Sequence, residues 1–318
     1  MTCLSPSKPT PGASPAASTA PEFGQGPARD DSPAAVFGRL GVYVGLVVSA
    51  WILLRILVGL VIPSSESGFS RPALFFSEAA GALAVFLPIP LLSRLERRRA
   101  GEYGLPASSG SGALLAQGAL AGSAEAAALM GLIALCGGYS FGPVAIHGLD
   151  LLKWFAFWLA FFVLVGVSEE FLFRGYAQYT LARGVGFWPA AFVLSLAFGV
   201  FHLWNEGENW AGATSVFCYG LLMCLSLRRT GSLWFAVAAH AAFDFGETFL
   251  FSVPNSGFVF EGHLSGAALH GPDWLTGGSV GPEGSVFCFA VMGAMACAIH
   301  FIYPAKRAMP GAQSQNAQ

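Results

Sequence analysis

Charge is what this sequence has least of. Of its 318 residues, 11% are Asp, Glu, Lys or Arg, against about 25% in an ordinary soluble domain. The 16 basic and 18 acidic residues leave a net charge of −2, which excludes the basic surface of a nucleic-acid binder. Cysteine is sparse too: Cys3, Cys136, Cys218, Cys224, Cys288 and Cys297, with no CxxC pair. That excludes a thiolate metal site and a disulfide framework, and all but Cys3 read as small buried hydrophobes. No H-E-x-x-H occurs, so the helical zinc-protease signature is missing. The N-terminus lacks the basic n-region and short apolar h-region of a signal peptide. What is abundant is apolar: 54% hydrophobic residues, with 28 Phe and 8 Trp. These numbers place the chain among polytopic membrane proteins.

Residues 1–35 are rich in Pro, Ala, Ser and Gly and are expected to form a disordered tail, as is 305–318. Between them, residues 36–304 hold eight apolar spans, at about 37–62, 73–93, 112–136, 151–183, 187–204, 211–227, 232–251 and 285–303. Lengths near 20 residues suit an α-helix crossing a ~30 Å hydrocarbon core, so the fold class is an all-α bundle of eight transmembrane helices. The longest connection, 252–284, is rich in Gly and Pro. Arg29, Arg39, Arg94, Arg97, Arg98, Arg99, Arg183, Arg228, Arg229, Lys306 and Arg307 fall at one set of span ends. Only Arg71 and Lys153 fall at the other. The positive-inside rule then puts both termini in the cytoplasm.

Ionisable residues at membrane depth are functional candidates. Here they are Arg55, Glu78, Glu125, Glu169, Glu170, Arg174, His202, His240, Asp244, Glu247 and His300. Arg55, Glu78, Glu125 and His300 stand alone in their spans and read as interhelical contacts or snorkelling side chains. Three other groups keep helical spacing. In "EEFLFRGY", Glu170 and Arg174 are four apart, acid before base, on one helix face. Glu169 is then turned off that face and free to point into the bundle. In "AFGVFHLWN", Phe198 lies one turn before His202, and in "AAHAAFDF", His240 lies one turn before Asp244.

Depth links these groups. If the fourth helix continues through "SEEFLFRGYAQYTLAR" to Arg183, helical rise places Glu169 roughly 21 Å from that end. The same count gives roughly 22 Å for His202 and roughly 16 Å for His240. All three then lie near one level within the bilayer, facing a wet, protein-lined cavity. A helix ending at Val167 would put Glu169 and His202 on opposite faces.

A buried carboxylate beside an imidazole can activate water as a general base. A second histidine aimed at the same point can donate to a developing oxyanion. Together these amount to amide or ester hydrolysis, with no serine or cysteine in an obvious nucleophile setting. Glu169, His202 and His240 would also suit Zn²⁺, and the residues alone leave metal-activated and glutamate-activated water both open.

The ordered trio "EEFLFRG", "FGVFH" and "HAAFD" resembles the three motifs of the CPBP family. That family comprises the CAAX prenyl proteases and the bacteriocin-processing or immunity (ABI-type) membrane proteins. The resemblance covers about residues 150–303, and "LTGGSVGPEGS" before the last span is similar to a segment common in bacterial members. It implies eight helices enclosing a conical intramembrane cavity in the plasma membrane, a bacterial inner membrane, and an endopeptidase acting on a peptide or membrane-protein substrate among lipid. By that resemblance Glu169 is the base and His202 helps position water. His240 and Asp244 line the oxyanion site, Glu170 and Arg174 hold the helix, and Phe198 packs beneath the imidazole. The mechanism implied needs no cofactor. Asp244 replaces the Asn of the eukaryotic enzymes; a carboxylate is a poor oxyanion donor unless protonated, so here it is expected to orient His240. Two other classes share such a cavity: a non-catalytic scaffold or immunity-type factor, and a proton-coupled transporter. The transporter is disfavoured by the lack of an inverted repeat. "WNEGENW" (204–210) reads as an interfacial loop with Trp anchors.

Overall fold

Serine and proline set the first two helix starts. Ser32 Oγ accepts from the Ala35 amide ahead of Pro33, and Ser70 Oγ accepts from the Ala73 amide ahead of Pro72. A side-chain acceptor before a proline satisfies orphan amides at the first turn. The computed structural model describes residues 31–62 and 70–304. The expected tails at 1–30 and 305–318, with Cys3, Arg29, Lys306 and Arg307, lie outside the described residues.

Helix α1 is Pro33–Val61, so residues 33–35, which composition placed in the tail, are helical. Helices α2 (Arg71–Phe86) and α3 (Ile89–Leu95) are separated at Pro88, which removes a backbone donor. Then come α4 (Ser111–Leu135), α5 (Gly148–Arg174), α6 (Tyr176–Val185), α7 (Phe187–His202) and α8 (Trp210–Thr230). Asn209 Oδ1 caps α8 by accepting from the Ala211 and Gly212 amides, and Gly231 (φ 74°) ends it in the left-handed region. Helix α9 (Trp234–Phe245) runs into a π-helical turn at Gly246–Leu250. Short α10 (Asp273–Thr276) precedes α11 (Val286–Ile302).

Every expected apolar span coincides with a helical segment, but five are long and apolar enough to cross a membrane. They are Pro33–Val61, Arg71–Leu95, Ser111–Leu135, Gly148–Val185 and Trp210–Thr230. Helices α7 and α11, of 16 and 17 residues, fall short. Helix α9, with 12 residues, is enclosed on most sides by the others. Several apolar helices of this kind make a multi-pass membrane protein, and the mainly helical architecture agrees with the all-α class.

Missing side chains let α9 sit at the centre. A Cβ on Gly118 or Gly122 of α4 would collide with the backbone carbonyls of Phe235 or Ala239, and one on Gly166 of α5 with that of Val237. Small residues four apart permit this close backbone approach between membrane helices. Leu129, Met130 and Ile133 of α4 continue the contact into the main apolar core with Met223, Cys288 and Met292.

At the basic end, Glu96 accepts from the hydroxyls of Tyr103 (2.9 Å) and Tyr176 (2.7 Å), and Arg183 pairs with Asp31 at 2.7 Å. At the other end the long connection is ordered. A two-residue ribbon pairs β1 (Tyr139–Ser140) with β2 (Ala268–Leu269), and Trp158 Nε1 donates to the Gly262 carbonyl at 3.3 Å. In the 204–210 loop, Trp204 and Trp210 are exposed while Asn205 Nδ2 donates to the Ser256 carbonyl. The five described cysteines are unpaired: Cys224 and Cys288 are buried, but Cys136 and Cys297 are exposed. An apolar stretch in a lipid-facing helix therefore does not imply a buried thiol, which corrects the reading for those two.

Candidate active site

The fourth span does not stop at Val167. Helix α5 runs on to Arg174 and, after a break at Gly175 (ψ −114°), α6 continues to Val185. A Cβ at Gly175 would run into the Phe171 carbonyl, so the reorientation between the two helices requires glycine. This continuation keeps "SEEFLFR" helical and turns its polar residues toward α9.

Glu170 and Arg174 are fully buried, and Arg174 Nη1 donates to Glu170 Oε1 at 2.9 Å. The same oxygen lies 3.0 Å from His240 Nδ1 on α9. A carboxylate only accepts, so Nδ1 carries the proton of that bond. His240 Nε2 then faces two further acids, Glu169 Oε2 at 3.7 Å and Asp244 Oδ2 at 3.4 Å. Glu169 is about one-third exposed, unlike the fully buried Glu170. The Arg174 guanidinium stacks on Phe198 of α7, 4.4 Å from the ring centroid. Gly220 of α8 leaves the space for it, since a Cβ there would press on Arg174 Nη2.

His202 approaches from the other side. Its Nδ1 bonds the Phe198 carbonyl at 2.9 Å, and its ring lies 4.7 Å from that of Phe198. Phe198 is also 6.3 Å from the His240 ring. His202, His240 and Asp244 line one cavity together with Glu125, Tyr219 and Glu283. The cavity volume is ≈ 30 Å³, room for about two waters. Glu169 is not among the lining residues and meets this group through His240.

All seven residues singled out by motif spacing therefore converge around His240: Glu169, Glu170 and Arg174 from α5, Phe198 and His202 from α7, and His240 and Asp244 from α9. The spacing did not reveal three other acids nearby. Glu78 of α2 accepts from Ser168 Oγ at 3.1 Å, one residue from Glu169. Glu125 of α4 lines the cavity with one carboxyl oxygen lacking a partner. Glu283 enters from the loop before α11, accepting twice from Ser256 Oγ at 3.1 and 2.9 Å. Burial and the nearby Asp244 carboxyl push the Glu283 carboxyl up to about 8. The signal for Glu78 and Glu125 was one lone acid on an otherwise apolar helix. Glu283 carried no such signal, because it lies outside any span.

A zinc site built from Glu169, His202 and His240 does not fit this arrangement. Among the described residues, no three His, Cys, Asp or Glu side chains are grouped to hold a metal ion.

Residues 151–246, which contain all three motifs, match the family model described as Rce1-like, type II CAAX prenyl endopeptidase. No curated protein and no solved structure matches the chain.

Proposed function

With that CAAX-protease family match covering every motif residue, we propose that the protein is an intramembrane endopeptidase that hydrolyses a peptide bond through Glu169-activated water. One observation carries this reading: His240 is anchored on one nitrogen by Glu170 while the other faces Glu169 and Asp244. A base and a charge-stabilising donor then sit side by side, with His240 also lining the cavity that has room for water.

The step balances without a covalent intermediate. The Glu169 carboxylate takes a proton from a water that His202 helps to place, and the oxygen attacks the scissile carbonyl carbon. The resulting oxyanion accepts from His240 Nε2–H, the ring being doubly protonated and held by Glu170 and Asp244. Glu169 then passes its proton to the leaving amine, the C–N bond breaks, and the remaining acid proton passes to the amine, leaving a carboxylate and an ammonium. Arg174 offsets the buried charge of Glu170, and Phe198 braces both the guanidinium and the His202 ring.

Eight crossings with both termini cytoplasmic, and a plasma-membrane location, belong to the same proposal; the clustering of basic residues at one end supports it. The test is cleavage of a peptide library by the purified protein, with and without 1,10-phenanthroline, read by mass spectrometry. Discrete products that persist under the chelator are expected. Cleavage lost with the chelator and restored by Zn²⁺ would refute glutamate-activated water. Absence of any product, with peptide binding retained, would favour the scaffold reading.

A further inference from the structure

The glycine-rich stretch 275–285 folds into a plug whose one ionisable side chain enters the cavity. Gly277 (φ 82°) and Gly281 (φ 100°) adopt left-handed backbone, and a Cβ on either would strike the carbonyls of Gly281 or Pro254. Ser285 Oγ closes the turn on the Leu275 carbonyl at 2.7 Å, and the Gly257 amide ties Val280 at 2.9 Å. The product of this folding is Glu283, 6% exposed, which lines the cavity with His202, His240 and Asp244.

Acid accumulates there beside His202 and His240. Glu247 lies beside Glu283, and Asn255 Nδ2 donates to Glu247 Oε2 at 3.5 Å. The acidic neighbours that face Glu283 are Asp244 from α9, Glu208 from the 203–209 loop and Glu247 from the π-turn, and His202 of α7 and His240 of α9 line the same cavity. Among the described residues no Lys or Arg lines the cavity, and Arg174 is already engaged by Glu170. Glu125, 4% exposed, points a buried oxygen into the cavity with no hydrogen-bond partner. A buried carboxyl left unpartnered is costly and calls for a donor.

We propose that Glu125, Asp244 and Glu283 form a subsite for a primary ammonium group of the substrate peptide, a lysine side chain or a free α-amine beside the scissile bond. The inference rests on the endopeptidase reading for its biological setting. Its residues go beyond the family match, because Glu125 and Glu283 lie outside residues 151–246. An ammonium fits on two counts. It takes the place of one water in a two-water cavity, and it brings three N–H donors to carboxyl groups that only accept when ionised. A metal ion would need its ligands grouped more tightly than these are. The raised Glu283 carboxyl adds a signature: an ammonium favours the carboxylate, so binding expels a proton and tightens as pH rises from 6 toward 8.5.

Two measurements on the full-length protein in nanodiscs test this. In the first, n-butylammonium is titrated while thermal unfolding is followed at pH 6 and 8.5, with Na⁺ and tetramethylammonium as controls. A Tm increase specific to butylammonium, larger at pH 8.5 and diminished in both Glu283→Gln and Glu125→Gln, is expected. No shift, an equal shift with Na⁺, or an undiminished shift in both variants overturns the subsite, whether or not the protein cleaves anything. In the second, kcat/KM is compared for acetylated peptides differing only as Lys against norleucine, and for acetylated against free N-termini. A preference of about 10-fold for one of the two amines, falling toward unity in Glu283→Gln, is expected for a charge-assisted contact. Equal rates for all four peptides overturn the proposal. If the wild type cleaves no peptide, the endopeptidase reading fails and the butylammonium shift alone decides the subsite.

Discussion

Glu169→Gln lowers kcat by at least about 10³-fold, the range for loss of a positioned general base, with little change in KM. Glutamine keeps the shape of the side chain and can still hydrogen-bond near His240, but it cannot take a proton from water. Because Glu169 is the partly exposed member of the adjacent acid pair while Glu170 is fully buried, the substitution leaves the interior intact. Thermal unfolding of the variant should therefore match the wild type. Retained cleavage would move the base elsewhere, with Glu78, held through Ser168 beside Glu169, as the first alternative.

The second large effect is structural. Arg174→Ala leaves the buried Glu170 carboxylate with His240 as its remaining partner and removes the stack on Phe198. Breaking a buried pair by deleting one member costs about 3–5 kcal/mol. For a chain of this size that corresponds to a fall in Tm of roughly 10 °C, measurable by tryptophan fluorescence. Replacing both partners, as Glu170→Gln with Arg174→Met, should recover most of that stability because no lone charge remains. It should not recover cleavage, since His240 Nδ1 loses its carboxylate. An unchanged Tm for Arg174→Ala would show that the pair does not hold α5 in place.

Parts of this site were legible in one dimension. The Glu170–Arg174 pair lies within a single helix, where four-residue spacing fixes proximity, and the structure gives it at 2.9 Å. The position of Glu169 near His240 also followed from helical rise once the fourth span was taken to run on to Arg183. Spacing could not show that Glu170 reaches across to His240, because periodicity names a face and not the neighbour opposite it. The Gly175 break was hidden for a related reason: a glycine in an apolar run signals either tight packing or a bend, and the packing of Phe171 against it decides. Glu283 was least visible, delivered by loop backbone in left-handed conformations rather than by any repeating pattern. The expected span 232–251 divides into the 12-residue α9 and a π-helical turn, packed against α4 and α5.

The central claim is that side chains from α5, α7 and α9 act at one hydrolytic centre. Its most direct measurement is a kcat/KM cycle of His202→Gln, His240→Gln and the double variant on one defined peptide. Residues that work as a unit are strongly non-additive. Each single variant should lose about 10²-fold, and the double little more than the worse single. A double variant whose loss equals the product of the two would contradict the account, as would a single variant that cleaves like the wild type.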